Sequence, residues 1–389
     1  MIKPHYRVFA CFFMFSLALG ALLARLPDVQ LNLGLDKAQL GLMLIGMAIG
    51  SMVSVTVGAQ WVDRMGARLT AIVTVLGTAF CYALVPWLPN AVLVFGTLFV
   101  AGLLAGLLEI NLNLEADRIE AQINKRVMNR AHGMWSLGFF VTALLAAGIR
   151  QAGVPVTVHT GGAFILVLVA SLVLLPGMTN APPRADAKPH AEGEHRIALP
   201  NWGLLPLCII GIAAFLVEGT GVDWSVIYMR DAFDVEPLIG GLSLTAFTGL
   251  MTIGRLFADP VVERFGPRAV ATALLALAAL GSLLIGVAPH PYVALAGFGM
   301  IGLGCSCVYP LAVSAAAQRT DRPSSVNVAA LAQVSFVIFF LGPPLLGFVA
   351  EHFGIRISYL VVLPVIIAGL LLTPSLEPRR KAEATAADA

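Results

Sequence analysis

Charged and hydrogen-bonding side chains inside long apolar runs are the residues of this chain able to do chemistry. Glu109-Ile-Asn-Leu-Asn113 interrupts the run 91–116; Asn113 follows Glu109 at i+4, and Asp117 continues the same helical stripe. A carboxyl group within a membrane run is costly unless it faces a cavity or a partner, and proton pathways are built from such groups. At about 1.5 Å per residue, Glu109 lies roughly 9 Å from the middle of its run. The alternative for Glu109 is a glutamate hydrogen-bonded to neighbouring helices, and for Asn113 an amide that glues helices together. The run 203–229 carries Glu218 nearer its middle and Asp223 five residues on. That separation is about 140° around a helix, so the two carboxylates face different spaces. Asp223 and Glu218 compete as the second candidate for proton exchange beside Glu109, and Asp223 is otherwise a helix cap or lid contact at the outer end. Tyr309 offers a hydroxyl, and Pro310 beside it weakens the helix and frees backbone carbonyls. His132 relays protons or binds solute, or is a satisfied structural histidine. Trp135, Gln333 and Ser335 complete the candidates for lining a cavity.

The elements that position these groups follow from composition. The chain has 389 residues, of which 58% are hydrophobic and 12% charged. Its mean hydropathy is +0.88. Soluble proteins carry about 25% charged residues, so a soluble enzyme, a secreted protein and a disordered scaffold are excluded. The net charge of +2 is too small to point to a nucleic-acid partner. All five cysteines fall in apolar stretches and read as small packing residues rather than a disulfide framework. Lys3 and Arg7 precede the apolar run 8–26, which is too long for a signal-peptide core and reads as a membrane helix. A membrane enzyme needs a nucleophile or metal cluster, and neither a zinc-type His pair, Gly-x-Ser-x-Gly nor a phosphate-binding Gly-rich loop is found. No cofactor or metal is expected, and no soluble segment is long enough for a nucleotide-hydrolysing domain.

A helix crosses the hydrocarbon with about 20 apolar residues. Spans are expected at 8–26, 39–61, 69–88, 91–116, 131–150, 158–177, 203–229, 238–258, 269–287, 292–317, 327–350 and 357–375: an all-α integral membrane protein of twelve transmembrane helices. Lys and Arg concentrate on one side, leaving Arg25, Lys37, Arg150, Arg230 and Arg356 on the other and Arg255 within span eight near its end. By the positive-inside bias both termini are cytoplasmic. The segment 178–200, rich in Pro, Ala and charge, reads as a cytoplasmic strap between units 1–177 and 201–376; its two histidines, His190 and His195, read as solvated. Residues 377–389 read as a cytoplasmic tail.

Asp63-Arg64-Met65-Gly66-Ala67-Arg68 recurs 200 residues later as Glu263-Arg264-Phe265-Gly266-Pro267-Arg268. The same offset pairs Gly41 with Gly241, Leu42 with Leu242, Gly102 with Gly302, Leu103 with Leu303, Phe139 with Phe339 and Phe140 with Phe340. The chain therefore reads as two six-helix halves in parallel orientation, an architecture of secondary transporters. In the hexamer, an acidic residue beside Arg (Asp63 with Arg64 and Arg68; Glu263 with Arg264 and Arg268) and a turning glycine (Gly66, Gly266) could lock helix ends in one alternating-access state. The plainer reading is a basic anchor loop.

Over nearly its whole length the chain resembles a major facilitator superfamily transporter, with the loop around Asp63–Arg68 similar to that superfamily's signature and Gly58 displaced by one residue. The segment from Glu109 to Asn113 resembles the Glu-x-x-x-Asn of bacterial fucose permease. Glu218-Gly-x-x-x-Asp223-Trp224-Ser225 and Leu341-Gly-Pro-Pro-Leu-Leu-Gly347 resemble a group of inner-membrane permeases related to it. The resemblance implies two pseudosymmetric six-helix bundles, a cavity lined by spans one, four, seven and ten, and proton coupling or sugar binding by the carboxylate matching Glu109. Fucose permease also uses an Asp on span one. Leu23 stands at that position, and the repeat places Asp223 opposite it, as it places Tyr309 opposite Glu109. His132 matches a Gln of that pattern.

The resemblance makes a proton-coupled secondary transporter of the bacterial inner membrane the leading expectation, a monomer driven by the proton gradient. With no Arg or Lys near the middle of a span, the solute is expected to be neutral, polar and sugar-like, or a cation. The alternative is export of metabolites or amphiphilic drugs by proton antiport. The Gly-Pro-x-x-Gly-Gly pattern of drug exporters is missing from span five. A receptor that has lost transport is a remoter class.

Overall fold

The computed structural model describes residues 2–123, 127–182 and 199–377. Segments 183–198 of the expected strap, with His190 and His195, and 378–389 of the tail lie outside the described residues. In hydrocarbon a backbone must satisfy its own hydrogen bonds, so apolar runs become helices. The helices are α1 Pro4–Leu23, α2 Leu26–Leu33, α3 Lys37–Val57, α4 Ala59–Leu84, α5 Ala91–Ile123, α6 Met128–Gln151 and α7 Val156–Leu174 in the first bundle. The second bundle holds α8 Leu205–Phe233, α9 Pro237–Phe265, α10 Pro267–Val287, α11 Pro291–Cys305, α12 Val308–Ala317, α13 Ser324–His352, α14 Ile355–Leu360 and α15 Leu363–Leu371. Eleven described spans are long and apolar enough to cross a membrane, and Ile355–Leu371 is a shorter apolar helical stretch. Hydroxyls inside the spans bond backward along their own helix: Thr70, Thr74 and Thr78 on α4 donate to carbonyls four residues earlier at 2.6–2.8 Å.

Several boundaries differ from the sequence reading. The second crossing continues through Met65, and its companion α9 through Phe265, both ending at a glycine with positive φ: Gly66 at 73° and Gly266 at 81°. Their ψ values, 164° and 156°, match too, a backbone shape that only glycine adopts without strain. The repeat is also a packing identity. A Cβ on Gly102 would lie 2.1 Å from the Met47 carbonyl, and one on Gly302 would lie 2.1 Å from that of Phe247. Both partners are again 200 residues apart.

Each bundle packs within itself, and the two meet along α3 with α13 and α6 with α9. Along α6 and α9, Ala147 lies against Gly241, Phe140 against Gly249 and Leu256 against Gly133. The α3–α13 seam is tight only at the end far from the termini, where Gly41 meets the Pro343 backbone and Gly347 that of Lys37. Toward the terminus-bearing end these helices part around an apolar cleft of about 320 Å³ lined by Ile49, Met52, Val53, Thr56, Val57 and Phe340. The far end is closed along this seam, while at the terminus-bearing end α3 and α13 part and α6 and α9 stay in contact through Gly133 and Leu256.

Candidate functional site

Helix α5 runs 33 residues, further than the expected span. The added turns carry Asp117, Arg118 and Glu120, so α5 extends out of the apolar run and Glu109 stays on the terminus-bearing side of that run's middle. Its side chain is exposed, and among the described residues it makes no hydrogen bond or ion pair. Tyr309, in the other bundle, lies within reach of its charge, so Glu109 faces the space between the halves. One turn on, Asn113 Oδ1 lies 3.2 Å from His132 Nε2; with the amide in this orientation the histidine is the donor, and α5 is tied to α6. The His132 ring lies 5.0 Å from that of Phe12, and Trp135 packs on Phe139 at 5.5 Å.

On the opposite wall, Glu218 and Asp223 have different surroundings, as their angular separation requires. Arg255 Nη2 approaches the Glu218 carboxylate oxygens at 3.3 and 3.5 Å. Arg255 Nη1 donates to Ser136 Oγ in the other bundle at 3.1 Å, and Nε donates to the Ser306 carbonyl at 3.2 Å. That carbonyl is free for a sequence reason. Pro310 has no N–H to return to residue 306 and its ring crowds that position, so the tenth crossing breaks between Cys305 and Val308. The spans are therefore not without a central cation. Because α9 continues to Phe265, Arg255 stands ten residues inside its helix and its guanidinium reaches Glu218 near the middle of α8. The expectation that Arg255 belongs to a span end is corrected.

Asp223 is half-buried, makes no hydrogen bond or ion pair among the described residues, and lies within reach of the charges of Glu218 and Tyr359. It is not an outer-end cap, since α8 continues to Phe233. Tyr309 packs on Phe215 at 4.3 Å, and Phe215 continues to Phe336 at 5.3 Å and Phe339 at 4.8 Å, an aromatic wall across α8, α12 and α13. Gln333 is half-buried, and the Ser335 hydroxyl is buried against Gly211 without a partner among the described residues.

The duplicated hexamers lie at the terminus-bearing end. Asp63 and Glu263 are exposed and in no ion pair among the described residues. Arg64 lies over Trp61 at 5.8 Å, Arg264 over Phe265 at 5.2 Å, and Arg268 reaches Glu377 at 3.3 Å. Arg68 is exposed. The turn after Gly66 is instead fixed by amides: the Ala67 N–H donates to Asn180 Oδ1 at 2.8 Å, and the Ala67 carbonyl accepts from Asn111 Nδ2 at 3.1 Å. Buried Glu115 accepts from the Ala181 N–H at 3.0 Å and from Arg118 at 3.2 Å. Residues 178–182 therefore pack on the first bundle, and the strap begins later than its composition indicates. Across from it, Arg322 donates to the Leu199 carbonyl at 2.9 Å and Asn201 to Asp321 at 2.6 Å. Hydrogen bonds from Arg319 and then Asn201 hold the Asp321 carboxyl below the usual carboxylate range.

Sequence reasoning assigned no role to Asn111, Glu115, Asn180 or the far-end groups that join the halves. There Lys37 pairs with Asp231 at 3.3 Å and Glu351 at 3.7 Å, and Arg230 donates to Gln30 at 2.9 Å. The signal available was that Lys37, Arg230 and Glu351 stand beside span ends of different halves.

A Major Facilitator Superfamily model matches residues 8–222 and, in a second match, 206–389. An uncharacterized transporter of Sinorhizobium fredii, y4wD, is 30% identical over 365 residues, 93% of this chain and 95% of its own length. Among solved structures, the nucleoside transporter NupG has a TM-score of 0.72 at 14% identity, covering 96% of this chain and all of its own. The E. coli fucose:proton symporter FucP has a TM-score of 0.59 at 17% identity, covering 96% of this chain and 98% of its own. The likeness to fucose permease is thus one of fold, and the subgroup stands with uncharacterized transporters. Helices long and apolar enough to cross a membrane, packed as two bundles, and these matches make the chain a member of the major facilitator superfamily, a multi-pass secondary transporter and not an enzyme.

Proposed function

We propose that this transporter is proton-coupled and moves a small, polar, sugar-like solute by alternating access between halves 1–177 and 201–376, with Glu109 taking up and releasing the proton. The observation that carries the reading is the contrast between two carboxylates: Glu218 is held by Arg255, whereas Glu109 is exposed and unpaired among the described residues. A proton carrier must change charge in every cycle, and Glu109 does so without breaking a structural bond. Asp223, also unpaired there, is the second coupling candidate, and Asn113, His132, Trp135, Tyr309 and Gln333 are the solute-facing set. Basic residues concentrated at the terminus-bearing end make it the cytoplasmic end, in the bacterial inner membrane, with both termini inside. The hexamers around Gly66 and Gly266 gate that end: Asp63 and Glu263 gain partners when it closes. A monomer suffices, since one chain holds the whole cavity.

The uncharged character expected of the solute loses its basis in Arg255. A second reading, export of metabolites or amphiphilic drugs by proton antiport, is favoured by the apolar α3–α13 cleft, through which a solute could enter from the bilayer. The test is proton flux into proteoliposomes on addition of sugars, sugar acids, polyols, amines and amphiphilic drugs, comparing the natural chain with Glu109→Gln. A solute-triggered flux that vanishes in the variant is expected. A flux that persists unchanged refutes the role of Glu109 and moves it to Asp223.

A further inference from the structure

We infer that Arg255 is the anion-recognition group of the cavity and that the transported solute carries a carboxylate. The inference deepens the sugar-like reading above and rests on it for the rest of the solute.

The argument begins with what holds the guanidinium. Pro310 leaves the Ser306 carbonyl without its helical donor, and Arg255 Nε takes that place at 3.2 Å. Nη1 is held at 3.1 Å by the Ser136 hydroxyl of the opposite half. Both acceptors are neutral: they fix the plane of the group without cancelling its charge. The only carboxylate in an ion pair with it among the described residues, Glu218, meets a single nitrogen, Nη2, at 3.3 and 3.5 Å. Tight charge-assisted bonds run about 2.7–2.9 Å, and the strong arrangement is a parallel two-nitrogen fork. Arg255 also leaves 24% of its side chain open. A structural ion pair would be closed and bidentate. This one is a charge held in place by neutral groups, loosely compensated and partly accessible.

The surroundings limit which anion fits. Glu218 lies on one side and the free Glu109 across the cavity, so a dianion such as a phosphate ester meets two like charges, whereas a monoanionic carboxylate can displace Glu218 from one nitrogen. Tyr309 and Phe336, half-buried and packed on the buried Phe215 one turn from Glu218, offer an apolar surface suited to the C–H face of a ring. Hydroxyls find Asn113 and His132, which lies within reach of the Arg255 charge. A hydroxylated carboxylate of the sugar-acid class satisfies all three features.

The test compares two probes that differ at one carbon, D-glucuronate and D-glucose, by equilibrium binding to the full chain in proteoliposomes. The natural chain is expected to bind glucuronate at least tenfold more tightly. Arg255→Lys should keep a reduced preference. Arg255→Gln combined with Glu218→Gln, which leaves no orphan charge, should bring the ratio to about one, with the thermal melt confirming a folded protein. Equal binding of both probes by the natural chain, binding of neither, or a preference unchanged in the double variant overturns the inference. Glu109→Gln separates the two proposals: it should abolish proton flux while glucuronate stays the preferred probe, its preference unchanged or raised by the loss of a like charge. If proton flux proves independent of Glu109 but the ratio behaves as stated, the coupling assignment fails and the anion site stands.

Discussion

The far end of the molecule is held shut partly by groups that water reaches, so the strength of that closure can be worked out and challenged. An Asp36–Gln39 capping box fixes the start of α3 and presents Lys37 to the other half. Its ammonium pairs with Asp231 and Glu351, while Arg230 donates to Gln30. The side chains of the Lys37 pairs are between 19% and 36% exposed, so each contact is discounted for solvent screening. At roughly 0.5 kcal/mol apiece, Lys37→Met with Arg230→Met removes on the order of 1.5 kcal/mol, which is about tenfold in the closed-to-open equilibrium. The backbone contacts at Gly41 and Gly347 remain, so the shift is finite. Spin labels at Leu31 and Phe353, both exposed and on opposite halves, report the far-end separation by pulsed electron resonance. The long-distance fraction is expected to rise by about an order of magnitude in the double variant. About 1 M salt should produce part of the same shift in the natural chain, because exposed pairs are screened. An unchanged distance distribution under both perturbations would refute the claim that these charges hold the end shut.

Asn180→Ala strips the Ala67 N–H of its partner and is expected to cost about 1–3 kcal/mol, read as a lower melting temperature in detergent; an unchanged melt refutes the clamp. Gly66→Ala and Gly266→Ala force side chains into a glycine-only backbone region and should each lose about 1–3 kcal/mol. Gly66→Ala should lose the more, since its Cβ would come 3.0 Å from the Asn180 amide whereas nothing lies within 4 Å at Gly266; the reverse order would contradict the reasoning. Pro310→Ala restores a donor to the Ser306 carbonyl and draws it away from Arg255, so the protein should melt higher yet transport more slowly; a rise in both would undo the link. Asp321 has a depressed carboxyl value, so its contribution is full above the ordinary aspartate value of 3.8 and fades as pH falls below it toward the lowered value. Proteolysis around residues 199–203 should therefore rise in acid, and Asp321→Asn should flatten that dependence.

How much was legible in the sequence depended on whether a residue's role is local. Gly66 and Gly266 could be found because a turn is written in six neighbouring residues, and Gly102 with Gly302 because the crossing recurs at the same offset. Arg255 was misplaced because the end of an apolar run is not the end of a helix: α9 continues past Pro260 to Phe265, which moves Arg255 inward. Asn111 and Asn180 were illegible for another reason. Both bind the backbone of one residue, Ala67, but they are far apart in the chain, and nothing in either sequence neighbourhood names the other. The far-end pairs have the same character, since Lys37 and Glu351 meet only when the halves close.

The two halves are alike where they must pack and unlike where they must bind. Gly102 and Gly302 let a helix approach a backbone carbonyl in both bundles, because a duplicated crossing imposes the same steric demand twice. The cavity has no such demand. Opposite Glu109 stands Tyr309, opposite Asp223 stands Leu23, and the amide clamp of Asn111 faces Leu311 in the other half. A solute without twofold symmetry would gain nothing from a symmetric site, and a second carboxylate opposite Glu109 would raise the cost of charging either one. Arg255 fits this asymmetry: it reaches Ser136 across the interface and Ser306 in its own half, joining the rigid seam of α6 and α9 to the broken tenth crossing. A ligand that draws on Arg255 therefore acts at the α6–α9 seam, where the two halves are in contact.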